Sequence, residues 1–194
     1  MLDYIISTDQ AIFLFINQNL WNPYTGFAMF VLTQLGNGYF LLPLVISGLL
    51  IFDRKNALKV IGISIIAILF GGIIVHILKE LVQRPRPLAE SLFESININV
   101  CGRRLCGENS FPSGHSQVAF SIAAVLSSYY KKRWLLFYLL AGLTAFSRVY
   151  IGVHYPFDIV AGGTIGYIFA KLVLLISQRF NFKRRRIRLC GMDL

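Results

Sequence analysis

Residues 60–78 read VIGISIIAILFGGIIVHIL, a stretch of nineteen residues without a single Asp, Glu, Lys or Arg. A helix that crosses the hydrocarbon core of a bilayer needs about 20 predominantly apolar residues. The stretch therefore predicts a membrane-spanning helix. The polar residues DRKN at positions 53–56 predict a tight turn before it, and the polar segment from Gln83 to Phe111 predicts a long loop after it.

The whole chain shares this apolar character. Of its 194 residues, 56% are hydrophobic and 14% are charged, and the mean hydropathy is +0.63, well above that of an average soluble domain. The 19 basic and 9 acidic residues give a formal net charge of +10. A nucleic-acid partner would account for the charge but not for the apolar composition. We therefore expect an integral membrane protein that does not bind nucleic acid.

Apolar stretches on both sides of residues 60–78 predict further helices. We expect a short helix near residues 11–20, which would lie at the membrane interface. We expect further helices over residues 23–35, 39–52, 118–130, 134–146 and 157–177. Residues 1–10 contain two Asp and no basic residue, so they do not resemble a cleavable signal peptide. The prediction is an all-α, polytopic membrane bundle of about six transmembrane helices, forming one integral-membrane domain over residues 1–194.

The positions of Lys and Arg predict the orientation, because short loops rich in these residues stay in the cytoplasm. If the helices alternate in direction, the basic residues at 54–59, 131–133 and 179–188 share one side. That side is predicted to be cytoplasmic, with residues 179–194 as a basic tail. The loop 83–112 and the turn at 151–156 then face the periplasmic or extracellular side of the cytoplasmic (inner) membrane.

Three polar clusters fall at the predicted outer ends of helices, where ionisable groups near membrane depth indicate function. They are Lys79 with Arg86 and Pro87; Pro112, Ser113, Gly114 and His115; and Ser147 and Arg148 with His154 and Asp158.

These residue types suit phosphate chemistry. Three cations, Lys79, Arg86 and Arg148, can neutralise a phosphate dianion, with Arg binding it bidentately. Ser113 and Gly114, at a predicted helix N-terminus, add a hydroxyl and backbone N–H groups that favour an anion. The sequence therefore predicts an oxyanion site.

Displacement at phosphorus needs a nucleophile and an acid for the departing oxygen, and two histidines are available for these tasks. Asp158 follows His154 by four residues. It can accept a hydrogen bond from one ring nitrogen and leave the other free to attack, as in a catalytic triad.

The three clusters resemble the motifs K-x6-R-P, P-S-G-H and S-R-x5-H-x3-D of the type 2 phosphatidic acid phosphatase superfamily, which also includes vanadium haloperoxidases. All eleven fixed positions are present, in order. The resemblance implies that His154 forms a phosphohistidine, that Asp158 orients it and that His115 protonates the leaving group. It also implies that no metal or other cofactor is needed. The phosphoryl oxygens would be held by Lys79, Arg86, Ser113, Gly114 and Arg148.

The resemblance leads us to expect a lipid phosphatase that hydrolyses a phosphomonoester or a terminal pyrophosphate bond. We favour undecaprenyl diphosphate, because the chain resembles short bacterial members and the predicted site faces the compartment where that lipid is released. Phosphatidylglycerol phosphate, phosphatidic acid and lipid A 1-phosphate remain alternatives. A small lipid transporter or flippase would need the cations but not the histidines. A soluble haloperoxidase would conflict with the hydropathy.

Two further features of the sequence are a pair of cysteines and a pair of glycines. Cys101 and Cys106 flank two arginines in the outer loop, and they either form a local disulfide or stay free thiols. Gly162 and Gly166 lie one turn apart on the last predicted helix, which favours close helix packing within the bundle over dimerisation.

Overall fold

The computed structural model describes residues 2–89, 98–99 and 109–190; for residues 2, 3 and 181–190 it describes the backbone alone. Throughout these residues the regular structure is helical, which confirms the predicted all-α class. The α-helices are α1 (Leu2–Leu14), α2 (Pro23–Thr33), α3 (Gly38–Phe52), α4 (Arg54–Val82), α5 (Gly114–Tyr129), α6 (Trp134–Tyr150) and α7 (Pro156–Cys190).

Two helices in the described part are each long and apolar enough to cross a membrane. They are α4 and the segment Pro156–Phe180 of α7. The segments Pro23–Gly36 and Gly38–Phe52 meet at a bend of 69° and would make a third span if they count as one. Helices α5 and α6 have 16 and 17 residues, which corresponds to about 24–26 Å of rise. The count of about six spans stays a prediction.

Several helices are longer than the apolar stretches that predicted them, because polar residues cap them or continue them. The side chain of Asp53 accepts from the Asn56 amide, so α4 begins at Arg54 instead of residue 60. Ser113 caps α5 in the same way, so this helix begins at Gly114 instead of residue 118, and Ser113 and Gly114 lie at a helix N-terminus as predicted. Helix α7 continues through Cys190, so the predicted basic tail at 179–194 starts as part of a helix.

Helix α5 packs against α4, α6 and α7, and small residues permit this. Ala124 and Val125 of α5 are buried against Ala57, Val60 and Ala170 of α4 and α7. Large apolar side chains point outward instead, for example on α4 and α6. These include Leu69, Phe70, Ile73, Leu135 and Leu139. An apolar exterior around a core of small residues is typical of a membrane bundle.

The closest approach within the bundle is between α5 and α7. A Cβ atom added to Gly162 would collide with the backbone carbonyl of Ser113, and one added to Gly166 would collide with that of Gln117. The hydroxyl of Ser121 donates to the Gly166 carbonyl at 3.1 Å across the same contact. The prediction that these glycines serve close packing within the bundle is confirmed.

We expect Gly166→Ala to lower the melting temperature of the purified protein in detergent, because the added methyl group forces α5 and α7 apart. Overpacking of this kind costs about 1–3 kcal/mol. Gly62→Ala is the matched control, since nothing lies within 4 Å of a Cβ at this α4 position. The control should leave the melting temperature unchanged or raise it, because Ala favours a helix over Gly by about 0.5–1 kcal/mol. Equal melting temperatures for the two variants would contradict the packing role of Gly166.

Candidate active site

The three polar clusters of the sequence meet at one end of the bundle. The segment after α4 brings Arg86 to the turn between α6 and α7, where its Nη1 donates to the Val153 carbonyl at 2.8 Å. The start of α5 joins α7 directly, because the Ser113 amide donates to the Asp158 carbonyl at 2.9 Å. The three clusters therefore contribute to a single site.

The Asp158 carboxylate is fully buried and receives donors from several segments. Its Oδ2 accepts from the Tyr155 amide at 2.9 Å and from the Ser110 hydroxyl, and lies 3.3 Å from His154 Nδ1. Its Oδ1 accepts from Arg84 Nη1 at 3.0 Å. Asp158 occupies the third position of α7, from which an acidic side chain reaches back to the amide that precedes the helix. The carboxylate is therefore fixed in position.

This arrangement fixes the tautomer of His154. An ionised carboxylate only accepts hydrogen bonds, so the His154 Nδ1 that faces Asp158 carries the ring proton. Nε2 then carries the lone pair and accepts a hydrogen bond from Arg86 Nη1 at 3.3 Å. The ring is 2% exposed, and burial lowers the pKa of His154 to about 3, although the hydrogen bond with Asp158 acts in the opposite direction. The imidazole is therefore neutral at physiological pH.

Arg86 and Arg148 are both buried near His154, and both interact with it electrostatically. Arg148 Nη1 donates to the hydroxyl of Thr33, at the end of α2, at 3.2 Å. Lys79 lies half-buried in the last turn of α4, and its Nζ donates to the Asn109 carbonyl at 2.6 Å. Three cations thus converge on one region, as the sequence predicted.

The start of α5 adds the remaining predicted residues. Ser113 is fully buried and its hydroxyl caps the helix, while Gly114 and His115 are half-buried. The first amides of a helix have no acceptor within the helix and favour an anion. His115 interacts electrostatically with Arg148, His154 and Arg86, which places it beside the same cations. All eight predicted site residues lie at this end of the bundle.

The sequence of this chain matches a known family over the whole site-bearing region. A model described as the PAP2 superfamily matches residues 61–182, which includes all eight predicted site residues. The chain belongs to the PAP2 superfamily.

Named relatives of this PAP2 chain are similar over almost its whole length. A lipid A 4'-phosphatase of Bacteroides thetaiotaomicron is 31% identical over 189 residues, 93% of this chain and 82% of that protein. An undecaprenyl-diphosphatase of Sulfolobus acidocaldarius is 32% identical over 182 residues, 92% of this chain and 83% of that protein. These two relatives are phosphatases whose names give different lipids.

The fold is also similar to that of a solved structure. The crystal structure of Aquifex aeolicus LpxE matches with a TM-score of 0.71 and 34% identity, over 85% of this chain and 93% of that one. The likeness in sequence and in fold makes this chain a PAP2-type phosphatase.

Three residues that contact Asp158 or its partners were not predicted as site residues. Ser110 precedes the P-S-G-H motif and donates to Asp158. Arg84 lies inside the six-residue spacer of the first motif and binds both Asp158 and Asp9 of α1. The one available signal for Asp9 is an acidic residue inside an apolar N-terminal segment. Cys101 and Cys106, which are expected either to form a local disulfide or to stay free thiols, lie outside the described residues.

We expect the ring of His154 to stay neutral, with the proton on Nδ1, from pH 8 down to pH 5 in the ligand-free protein. An ordinary histidine would become charged near pH 6.5. The measurement is ¹⁵N NMR of protein labelled at its three histidines, with His154→Gln to identify the signals. A midpoint near pH 6.5, or a proton on Nε2, would show that the geometry described for His154 and Asp158 does not hold in solution.

Proposed function

We propose that this PAP2-superfamily phosphatase removes a phosphate group from a membrane lipid through a phosphohistidine formed on His154. The observation that carries the proposal is the pairing of His154 with Asp158. The carboxylate lies 3.3 Å from Nδ1, and the unprotonated Nε2 points to Arg86. A neutral, oriented imidazole beside a cation is what nucleophilic attack on an anionic phosphate requires.

In this proposal the cations and the start of α5 bind the phosphoryl oxygens. Lys79, Arg86 and Arg148 balance the charge of the phosphate and stabilise the additional charge of the transition state. Ser113 and Gly114 contribute the α5 N-terminus, which favours anions. Because Arg86 and Arg148 are buried, their attraction for phosphate is screened less than it would be at an exposed surface.

The reaction would proceed in two displacements. His154 Nε2 attacks phosphorus, the bond between phosphorus and the leaving oxygen breaks, and His115 protonates that oxygen. His115, now neutral, then takes a proton from water as the water attacks the phosphohistidine. Inorganic phosphate leaves and His154 returns to its neutral form. During the first step Asp158 stabilises the positive charge that develops on the His154 ring.

For the substrate we propose undecaprenyl diphosphate, with phosphatidylglycerol phosphate, phosphatidic acid and lipid A 1-phosphate as alternatives. The relative from Sulfolobus acidocaldarius, which carries the name undecaprenyl-diphosphatase, supports the first choice, and the lipid A 4'-phosphatase supports a lipid A substrate. The lipid tail would stay in the bilayer. We place the protein in the cytoplasmic (inner) membrane with its site on the periplasmic or extracellular side, because the basic residues cluster at the opposite helix ends.

We expect the purified protein to release inorganic phosphate from a phosphorylated lipid in the presence of EDTA. His154→Ala should lower the rate at least about a thousand-fold, because the nucleophile is lost. His76→Ala is the matched control, since His76 is exposed on α4 and belongs to no motif, and it should keep the activity of the wild type. If none of the four lipids releases phosphate, the proposed lipid phosphatase activity is contradicted and a lipid transporter or flippase is favoured.

The covalent intermediate can be tested directly. After brief mixing with a ³²P-labelled lipid and an alkaline quench, which preserves phosphohistidine, we expect label on the wild-type protein. His154→Ala should carry none. Label that persists in the variant would assign the nucleophile to another residue.

The lipid substrate can be identified by comparing the rates of hydrolysis of the candidate lipids in one detergent system. We expect kcat/KM to be highest for undecaprenyl diphosphate among that lipid, phosphatidylglycerol phosphate, phosphatidic acid and lipid A. A clear preference for any other of the four lipids would replace the proposed substrate and leave the proposed chemistry in place.

A further inference from the structure

We propose that Asp9, on the N-terminal helix α1, is a positioning residue for the reaction, and that it acts through Arg84 on the pair of Asp158 and His154. The inference rests on the proposed function. Helix α1 lies entirely outside the range that matches the PAP2 family model, residues 61–182. The proposal therefore assigns a role in the site to a part of the chain that carries none of the three motifs.

The observation behind the proposal is a chain of buried contacts. Asp9 is fully buried, and its Oδ2 lies 2.7 Å from Arg84 Nη1. The same Nη1 lies 3.0 Å from Asp158 Oδ1. The Arg84 guanidinium lies over the ring of Tyr155, and its Cζ is 3.9 Å from the ring centroid. One arginine nitrogen therefore links the acid of α1 to the acid that holds His154.

Charge explains why a second acid is useful there. Arg84 alone would neutralise Asp158 and weaken its attraction for the positive ring that forms on His154 during attack. With Asp9 present, two carboxylates share one guanidinium, and the group of three keeps a net charge of −1. In a buried site that remaining negative charge acts strongly on the nearby imidazole. Asp9 thus leaves Asp158 available to His154.

Asp9 also fixes the start of the helix that carries Asp158. Helix α7 begins with Pro156 as its first residue, and the residue before it, Tyr155, has no side-chain oxygen near the backbone to cap the helix. Asp9 Oδ1 takes this role, because it accepts from the Phe157 amide at 2.9 Å. One turn later on α1, Phe13 packs edge-on against the Tyr155 ring, with 5.3 Å between centroids. Helix α1 therefore contacts the Tyr155–Asp158 turn at two positions, Tyr155 and Phe157.

The test uses Asp9→Asn in the full-length protein. Asparagine keeps an oxygen that can accept from the Phe157 amide but removes the charge that pairs with Arg84. We expect kcat for the best lipid substrate to fall about ten-fold with KM unchanged, which corresponds to the size of typical coupling between contacting residues. Glu80→Gln, which removes one exposed carboxylate from α4, is the matched control and should stay close to the wild type. Asp9→Glu should restore part of the lost rate.

A double-mutant cycle separates positioning from a merely structural role. If Asp9 acts through Arg84, adding Asp9→Asn to Arg84→Gln should lower kcat no further than Arg84→Gln alone. Two losses that simply multiply would overturn the proposal, as would wild-type kcat for Asp9→Asn. If Asp9→Asn does not fold, Arg84→Gln removes the ion pair of Asp9 and Arg84 by changing the arginine instead. An unchanged kcat in Arg84→Gln would also overturn the proposal.

A second readout does not depend on activity. In NMR of the ¹⁵N-labelled histidines, Asp9→Asn should move the His154 Nδ1–H proton resonance upfield, because the hydrogen bond to Asp158 weakens when Arg84 alone neutralises that carboxylate. If the wild type releases no phosphate from any lipid, the proposed function fails and this measurement still decides whether Asp9 positions His154. An unchanged Nδ1–H resonance in Asp9→Asn would overturn the positioning role even if the protein is an active phosphatase.

Discussion

The site is built around one buried charge, the carboxylate of Asp158. An ionised carboxylate removed from water is tolerated only when it is paired and its oxygens accept hydrogen bonds, since the cost of desolvation is several kcal/mol. Its donors come from three parts of the chain: Arg84 after α4, Ser110 before α5, and the turn that holds His154 and Tyr155. These segments must converge for the carboxylate to stay ionised. The same convergence brings together the three clusters of the sequence.

The backbone of the bundle satisfies a matching constraint. Ser113 can donate its amide to the Asp158 carbonyl only if α5 and α7 run almost in contact at this end. Gly162 and Gly166 make that possible, since any side chain at either position would collide with the α5 backbone. The start of α5, which carries Ser113, Gly114 and His115, is thus set against the start of α7. Helix packing in the membrane and the geometry of the site depend on the same two glycines.

The residues within each motif can be proposed from the sequence because their relations to one another are local. Lys79 lies in the last turn of α4, and Gln83, with φ of 46°, ends that helix in the left-handed conformation that reverses the chain toward Arg86. Residues whose contacts depend on the fold could not be predicted in this way. Asp9 meets the Phe157 amide across 148 positions, and Thr33 meets Arg148 across 115. Neither contact follows from spacing, periodicity or a motif.

The basic residues at the predicted outer ends of the helices differ in the partners that they contact. Arg84 is bound by two acids, so its charge is used within the protein to hold Asp158. Arg86 and Arg148 donate to the oxygens of Val153 and Thr33, and these bonds orient the two guanidinium groups. A residue's charge alone therefore does not mark it as a ligand for phosphate. Arg84 is held by Asp158 and by Asp9, and Asp9 belongs to an N-terminal helix that only the folded chain brings to the site.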